Sequence, residues 1–244
     1  MSNIDLKLGD CLEVLKTIPD NSIDLVVTDP PYIVTKGGTH AKSNFISCRV
    51  DNIEAELTPI SNGFDFAVLD ECCRVLKKIN IYVWCSKYQL ADLLIYFENK
   101  GCNTNVLTWH KSNPVPTCGN KYLSDTEFCV FAREPGVKLF GTYESKLTYY
   151  VQAINSKDKK LYGHPTIKPL NILNNLIINS SKEGEIVLDP FMGSGSTGVA
   201  CKNLNRNFIG IEIEEKYYNT AKARINNETI VQKNSEELMQ VSLW

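Results

Sequence analysis

Short apolar runs, separated by stretches of helical periodicity, organise this chain. Asp5 to Leu8, Ile23 to Thr28, Ile79 to Cys85, Asn105 to His110, Glu127 to Ala132, Glu185 to Leu188 and Phe208 to Ile213 read as strands. Several of them, such as Ile23-Asp24-Leu25-Val26-Val27, are continuous rather than alternating, which is the pattern of strands covered by helices on both faces. Helical spacing marks Cys11 to Ile18, Phe64 to Lys77, Gln89 to Asn99, Pro169 to Ser180, Thr197 to Leu204 and Glu215 to Asn226. The alternation predicts an α/β fold, a three-layer sandwich with a mostly parallel sheet, as a single domain over residues 1–244. Two stretches interrupt it. Residues 33–61 are polar, contain Gly37 and Gly38 and lack periodicity, so they read as a long loop; residues 133–163 read as a short insertion.

Composition narrows the class. A chain of 244 residues that is 43% hydrophobic can bury one full core, and no run approaches the roughly 18 to 20 apolar residues that cross a bilayer. No basic-then-apolar leader opens the sequence, so a cytoplasmic protein away from membranes is expected. The nine cysteines form no CxxC pair, and His40, His110 and His164 stand far apart, so reduced thiols and no metal are expected. The formal net charge of -2 decides nothing about a polyanionic partner. Local balance says more: from Arg133 to Lys168 basic residues outnumber acidic ones seven to three, with Tyr143, Tyr149, Tyr150 and Tyr162 among them. Such a segment suits a phosphate backbone, although solvated surface lysines would look the same.

Near the C-terminus, Glu185 to Ala200 runs from an apolar strand through a glycine-rich turn into a helix, and Gly193, Gly195 and Gly198 satisfy GxGxxG. That context predicts a nucleoside seated on bare backbone at a helix start, with Glu212 after the next strand placed to bind ribose hydroxyls. An NAD-dependent dehydrogenase would share these features. Only thirty-two residues follow Glu212, however, so the strands that complete the nucleotide half must come from the N-terminus. A circularly permuted sheet follows, with Asp5 to Leu8 beside Phe208 to Ile213. Asp10 and Cys11 would then lie next to the base of the bound nucleoside.

The strand Ile23 to Thr28 ends in Asp29-Pro30-Pro31-Tyr32. Ligands of open α/β sheets bind beyond the C-terminal ends of strands, and this tetrapeptide stands there. Two prolines fix φ and remove two donors, leaving a rigid turn of carbonyl acceptors. The Asp29 carboxylate and the Pro30 carbonyl could accept both hydrogens of an NH₂ group while Tyr32 stacks on its ring. A merely structural capped turn is the alternative for such a tetrapeptide on its own.

These residues resemble the β-class amino-group DNA methyltransferases, in which a DPPY segment precedes an FxGxG segment. Asp29, Pro30, Pro31 and Tyr32 match the catalytic motif. Asp189, Pro190, Phe191, Gly193, Gly195, Ser196 and Thr197, within DPFMGSGST, match the cofactor motif. Gly163 to Pro169 resembles the segment whose threonine and lysine, here Thr166 and Lys168 after His164, hold the methionine part of the cofactor, and Asp10 and Cys11 resemble the positions that bind its adenine. Trp109, Lys111, Asn113 and Pro114 resemble WxKxNP. The resemblance implies a Rossmann-like methyltransferase sheet and S-adenosyl-L-methionine as cofactor. It implies double-stranded DNA as partner and 133–163 as the target-recognition region, while residues 33–61, without counterpart in it, are expected as a mobile loop over the active site. It leaves room for a homodimer and a cognate restriction endonuclease. Methyl transfer to the N6 amino group of a flipped-out adenine is expected, because serine in place of Asp29 is commoner in N4-cytosine enzymes. A cytosine-N4 enzyme, a dehydrogenase and a non-catalytic DNA-binding subunit remain as alternatives.

Overall fold

The computed structural model describes residues 2–33, 63–116, 120, 122–163 and 166–227. Along the chain run β1 (Ile4–Leu8), α1 (Cys11–Leu15), β2 (Leu25–Thr28), α2 (Ala67–Val75), β3 (Asn80–Cys85), α3 (Leu90–Asn99), β4 (Asn103–Lys111) and β5 (Thr126–Arg133). They are followed by β6 (Tyr149–Gln152), α4 (Ser156–Tyr162), α5 (Leu170–Ser180), β7 (Ile186–Asp189), α6 (Ser196–Asn203), β8 (Asn207–Glu212) and α7 (Glu215–Asn226). Every strand and helix expected from periodicity is present, with ends moved by a few residues. β6 and α4 lie in the stretch read as an insertion without elements. Their sequences explain why: β6, Tyr-Tyr-Val-Gln, is only four residues long, and Ser-Lys-Asp-Lys-Lys-Leu-Tyr offers no apolar stripe to a helix reading.

The eight described strands form one sheet in the order β1-β8-β7-β2-β3-β5-β4-β6. All neighbours are parallel except β5, which runs against both β3 and β4. Both faces are covered, and the period-2 geometry of a strand turns a continuous apolar run into two cores. Val26, Ile81 and Val83 face α1, α2 and α3, among Leu15, Leu69, Cys72, Leu93 and Phe97. Leu25, Val27, Tyr82 and Trp84 face the opposite layer, among Leu173, Leu176, Ala200 and Ile225. Three layers result, and all seven described cysteines are free thiols. No described helix is long and apolar enough to cross a membrane, and no described cluster of His, Cys, Asp or Glu is suited to a metal ion.

The permutation is present in the register. β1 pairs in parallel with β8, from Ile4 opposite Phe208 to Leu8 opposite Glu212, and Gly9 N donates to the Glu212 carbonyl at 2.9 Å. The chain leaves β7 toward β8 and leaves β2 toward β3, in opposite directions from two adjacent strands. At such a switch point the turns after the two strands diverge and open a crevice. The turn after β7 carries the glycine motif and the turn after β2 carries Asp29-Pro30-Pro31-Tyr32.

Candidate active site

One wall of the crevice is built from backbone. Gly193 and Gly195 take φ of 50° and 78°, a region in which a side chain is strained. Gly193 N donates to Glu212 Oε2 at 2.9 Å, and Glu214 N to Glu212 Oε1 at 2.8 Å. A Cβ on Gly195 would lie 2.9 Å from the Ala221 Cβ, and one on Gly198 2.4 Å from Ile225 Cδ1, so these two glycines admit α7 against α6. Asp189 ends β7 buried; its Oδ1 accepts from Phe191 N at 3.1 Å and its Oδ2 from Thr197 Oγ1 at 2.8 Å. Burial pushes its carboxyl up to about 7 against those two donors. α6 starts with no side-chain cap, so its first-turn N–H groups face the crevice end of the sheet without one. A glycine turn, an uncapped helix start and Glu212 fit a nucleoside with a charged amino-acid tail.

Beneath this turn lies Arg224 of α7, buried, whose Nη1 donates to Ser196 Oγ at 2.9 Å and to Ser194 Oγ at 3.2 Å. Its guanidinium also stacks 4.2 Å from the Tyr162 ring of α4. Of Ser196 and Thr197, expected to touch the cofactor, the first accepts from Arg224 through its hydroxyl and the second donates its own to Asp189. Asp10 likewise caps α1, its Oδ1 accepting from Leu12 N at 2.9 Å and Glu13 N at 3.2 Å. Cys11 beside it is half-buried, and burial, with the Asp10 charge, raises its thiol to about 11.

The other wall is built from charge. Asp29 precedes a proline and so leaves β2 extended. Lys168 precedes Pro169, which opens α5 at φ −63°. The Lys168 ammonium, only 5% exposed, donates to Asp29 Oδ2 and lies 3.2 Å from Glu127 Oε2. Lys111 Nζ holds Glu127 Oε1 at 2.8 Å, and Tyr32 Oη reaches Glu127 Oε2 at 3.3 Å. The rings of Trp84 and Tyr32 flank the Lys168 ammonium at 5.2 and 5.3 Å. Burial opposes ionisation of Glu127, yet Lys168 and Lys111 outweigh it and bring its carboxyl down to about 2. Burial pushes the Asp29 carboxyl up, against the pull of Lys168 and with the push of Glu127. Asp29 Oδ1 is buried and has no hydrogen-bond donor among the described residues.

The turn itself is fixed by Gln89, 2% exposed, whose Nε2 donates to the Pro31 carbonyl at 3.1 Å while its Oε1 accepts from Ile33 N at 3.2 Å. Of the two proline carbonyls that the sequence offered, Pro31's is thus taken by the protein. The structure brings Asp29, Tyr32 and Lys168 together, and groups Asp189, Pro190, Phe191, Gly193, Gly195, Glu212, Asp10 and Cys11 around the neighbouring turn. The Lys168 ammonium lies between Asp29 and Glu127, the anions that compensate its burial. His164 and residues 34–61 of the expected loop lie outside the described residues. Glu127 and Gln89 were missed. The one signal for Glu127 was an acidic residue opening the otherwise apolar run to Ala132.

Trp109 and Asn113 have a local explanation as well. Trp109 Nε1 donates to the Gln152 carbonyl at 2.9 Å, and the Asn113 Oδ1 accepts from Ile154 N at 2.6 Å. Together with the β4–β6 pairing they clamp the basic segment to the sheet edge beside Lys111.

The crevice thus has a glycine turn with an uncapped helix start on one wall and a buried carboxylate oxygen without a described donor on the other. The chain belongs to the DNA methylase family of N6/N4 enzymes, whose family model matches residues 23–223. It is similar to the type II methyltransferase M2.MboI of Moraxella bovis, 30% identical over 253 residues that cover 95% of this chain and 91% of that protein. M2.LlaDCHI of Lactococcus lactis subsp. cremoris is 31% identical, over 92% of this chain and 90% of that protein. Among solved structures, the M1.HpyAVI–SAM complex superposes with a TM-score of 0.68 at 27% identity, covering 91% of this chain and 99% of that one. The cytosine-N4-specific PvuII methyltransferase also reaches 0.68, at 20% identity over 98% of this chain and 90% of that one, a likeness of fold.

Proposed function

We propose that this chain methylates the N6 amino group of adenine in double-stranded DNA, with S-adenosyl-L-methionine as donor. The observation that carries this reading is the Asp29 Oδ1: a buried carboxylate oxygen without a described donor, at the mouth shared with the glycine turn. Leaving such an atom unpaired costs about 1–3 kcal/mol, a cost that an entering amino group would offset. When bound, the cofactor supplies a methyl group on a positively charged sulfur. Held by the glycine turn and Glu212, it would give that methyl to the amino nitrogen, with the electron pair of the broken carbon–sulfur bond staying on sulfur and one proton leaving the nitrogen for water. Asp29 stabilises the positive charge that develops on nitrogen, and the two walls align the reacting atoms. A paired base hides its amino group, so the target is extruded toward Tyr32.

Asp10, Cys11, Thr166, Asp189, Pro190, Phe191, Gly193, Gly195, Ser196, Thr197 and Glu212 form the cofactor seat in this reading. Residues 133–163, clamped beside the site, read the DNA target. Aspartate at the first position of the motif supports adenine over cytosine. The type II methyltransferases among the relatives support a cytoplasmic role beside a cognate restriction endonuclease. Expression in a host free of methylation, followed by mapping of modified bases by single-molecule sequencing, tests the substrate. N6-methyladenine at one short sequence is expected; N4-methylcytosine would reassign the base, and an unmodified genome would sink the enzymatic reading.

A further inference from the structure

Asp29 faces two requirements that conflict. It must survive as a buried anion before the substrate arrives, and it must be free to accept hydrogens afterwards. Lys168 meets the first requirement by donating to Oδ2. The same contact weakens Asp29 as an acceptor, because the ammonium draws on the charge that the amino group needs. Glu127 offers a way out. Its Oε2 lies 3.2 Å from the same ammonium, its Oε1 is anchored by Lys111 at 2.8 Å, and Tyr32 Oη approaches at 3.3 Å. Both carboxylates belong to one cluster, so an ammonium that shifts from one to the other changes no net charge in the site. The Trp84 and Tyr32 rings, at nearly equal distances, give Lys168 an aromatic lining throughout such a shift.

We propose that Glu127 is a positioning residue that takes up Lys168 when the target base enters, leaving the full charge of the Asp29 carboxylate to the amino group that arrives at its unpaired Oδ1. The inference rests on the amino-group reading of the site. It is written for any base that presents an exocyclic NH₂, and it concerns a shift of hydrogen bonds only, with no bond made or broken. The bland alternative is a static ion pair that merely supports β4 and β5.

The test compares binding of two duplexes, in the presence of S-adenosylhomocysteine. One carries the target base found by the mapping experiment, the other the analogue that lacks its amino group. The wild-type protein is expected to prefer the amino-bearing base by roughly tenfold, the order of one hydrogen bond to a charged group. Glu127→Gln is expected to lose most of that preference and to lower kcat while KM for the cofactor stays put. Glu127→Asp, which keeps the charge, should recover part of both. A Glu127→Gln protein with undiminished preference and kcat would overturn the proposal. A wild-type protein without any preference would instead count against the amino-group reading itself. Should Glu127→Gln not fold, a structure of the wild-type protein with DNA and S-adenosylhomocysteine decides. Lys168 Nζ on Glu127 and away from Asp29 is expected, and an ammonium still on Asp29 overturns the proposal.

Discussion

The two walls of the crevice hold their ligands by different physics. On the β7–β8 side, Asp189, Glu212 and Asp10 accept mainly from backbone N–H groups a few residues away, or from the adjacent turn. On the β2–β3–β5 side, Asp29, Lys168, Glu127 and Lys111 come from four separate segments and meet through side chains alone. A backbone seat tolerates a change of side-chain chemistry and rejects added bulk. A charge cluster tolerates small changes of shape and rejects the loss of a charge.

The sharpest way to break that contrast is Asp29→Ala. Methyl transfer should fall by about 10³-fold or more, the scale of removing a preorganised electrostatic contact, while cofactor affinity is unchanged. Turnover assays beside calorimetric titration check both, and equal loss of binding and rate would join the two walls into one. Added bulk on the backbone wall comes next. Gly195→Ala places a Cβ 2.9 Å from that of Ala221 at a left-handed φ, so we expect about 1–3 kcal/mol of lost stability by denaturant titration, with weaker cofactor binding. A stable Gly195→Ala protein would remove the packing argument.

Acidity separates the walls further. The raised Asp189 carboxyl binds its proton more tightly folded than unfolded, so stability should rise as pH falls from 8 through about 7 toward the unfolded value near 4. Glu127 works in the opposite sense: its depressed carboxyl stabilises the fold above the unfolded value near 4.5, and that contribution is lost as pH falls toward 2. Thermal melts across pH should therefore show Asp189→Asn flattening the rise between pH 8 and 6; an identical slope in both proteins refutes the Asp189 assignment. The smallest effect is expected outside both walls. Lys157, Lys159 and Lys160 lie on α4, where Lys159 is half-buried and burial lowers its ammonium. Replacing all three by Gln should weaken DNA binding and flatten its salt dependence by about 2 to 3 in log–log slope, and an unaltered slope would exclude α4 from the interface.

How much of this could be read beforehand follows the same division. Both motifs were visible because each is contiguous: a glycine turn announces itself through φ, and paired prolines through rigidity. The three layers followed from the continuous apolar runs. Lys168 was legible in the sequence, but its hydrogen bond to Asp29, 139 residues away, could not be inferred from spacing. β6 and α4 were missed because they are held by clamps from Trp109, Asn113 and Arg224 and not by an apolar stripe of their own.

The sequence by itself determined the strands, the helices and the two turns that meet at the switch point, because hydrophobic period and backbone restriction act over a few residues. Only the tertiary structure decided what stands across from Asp29. β5 runs against its neighbours, so its beginning, not its end, arrives at the crevice, and Glu127 is carried there with it. A charge pairing across the sheet depends on strand direction and register, and neither is written in the local order of residues.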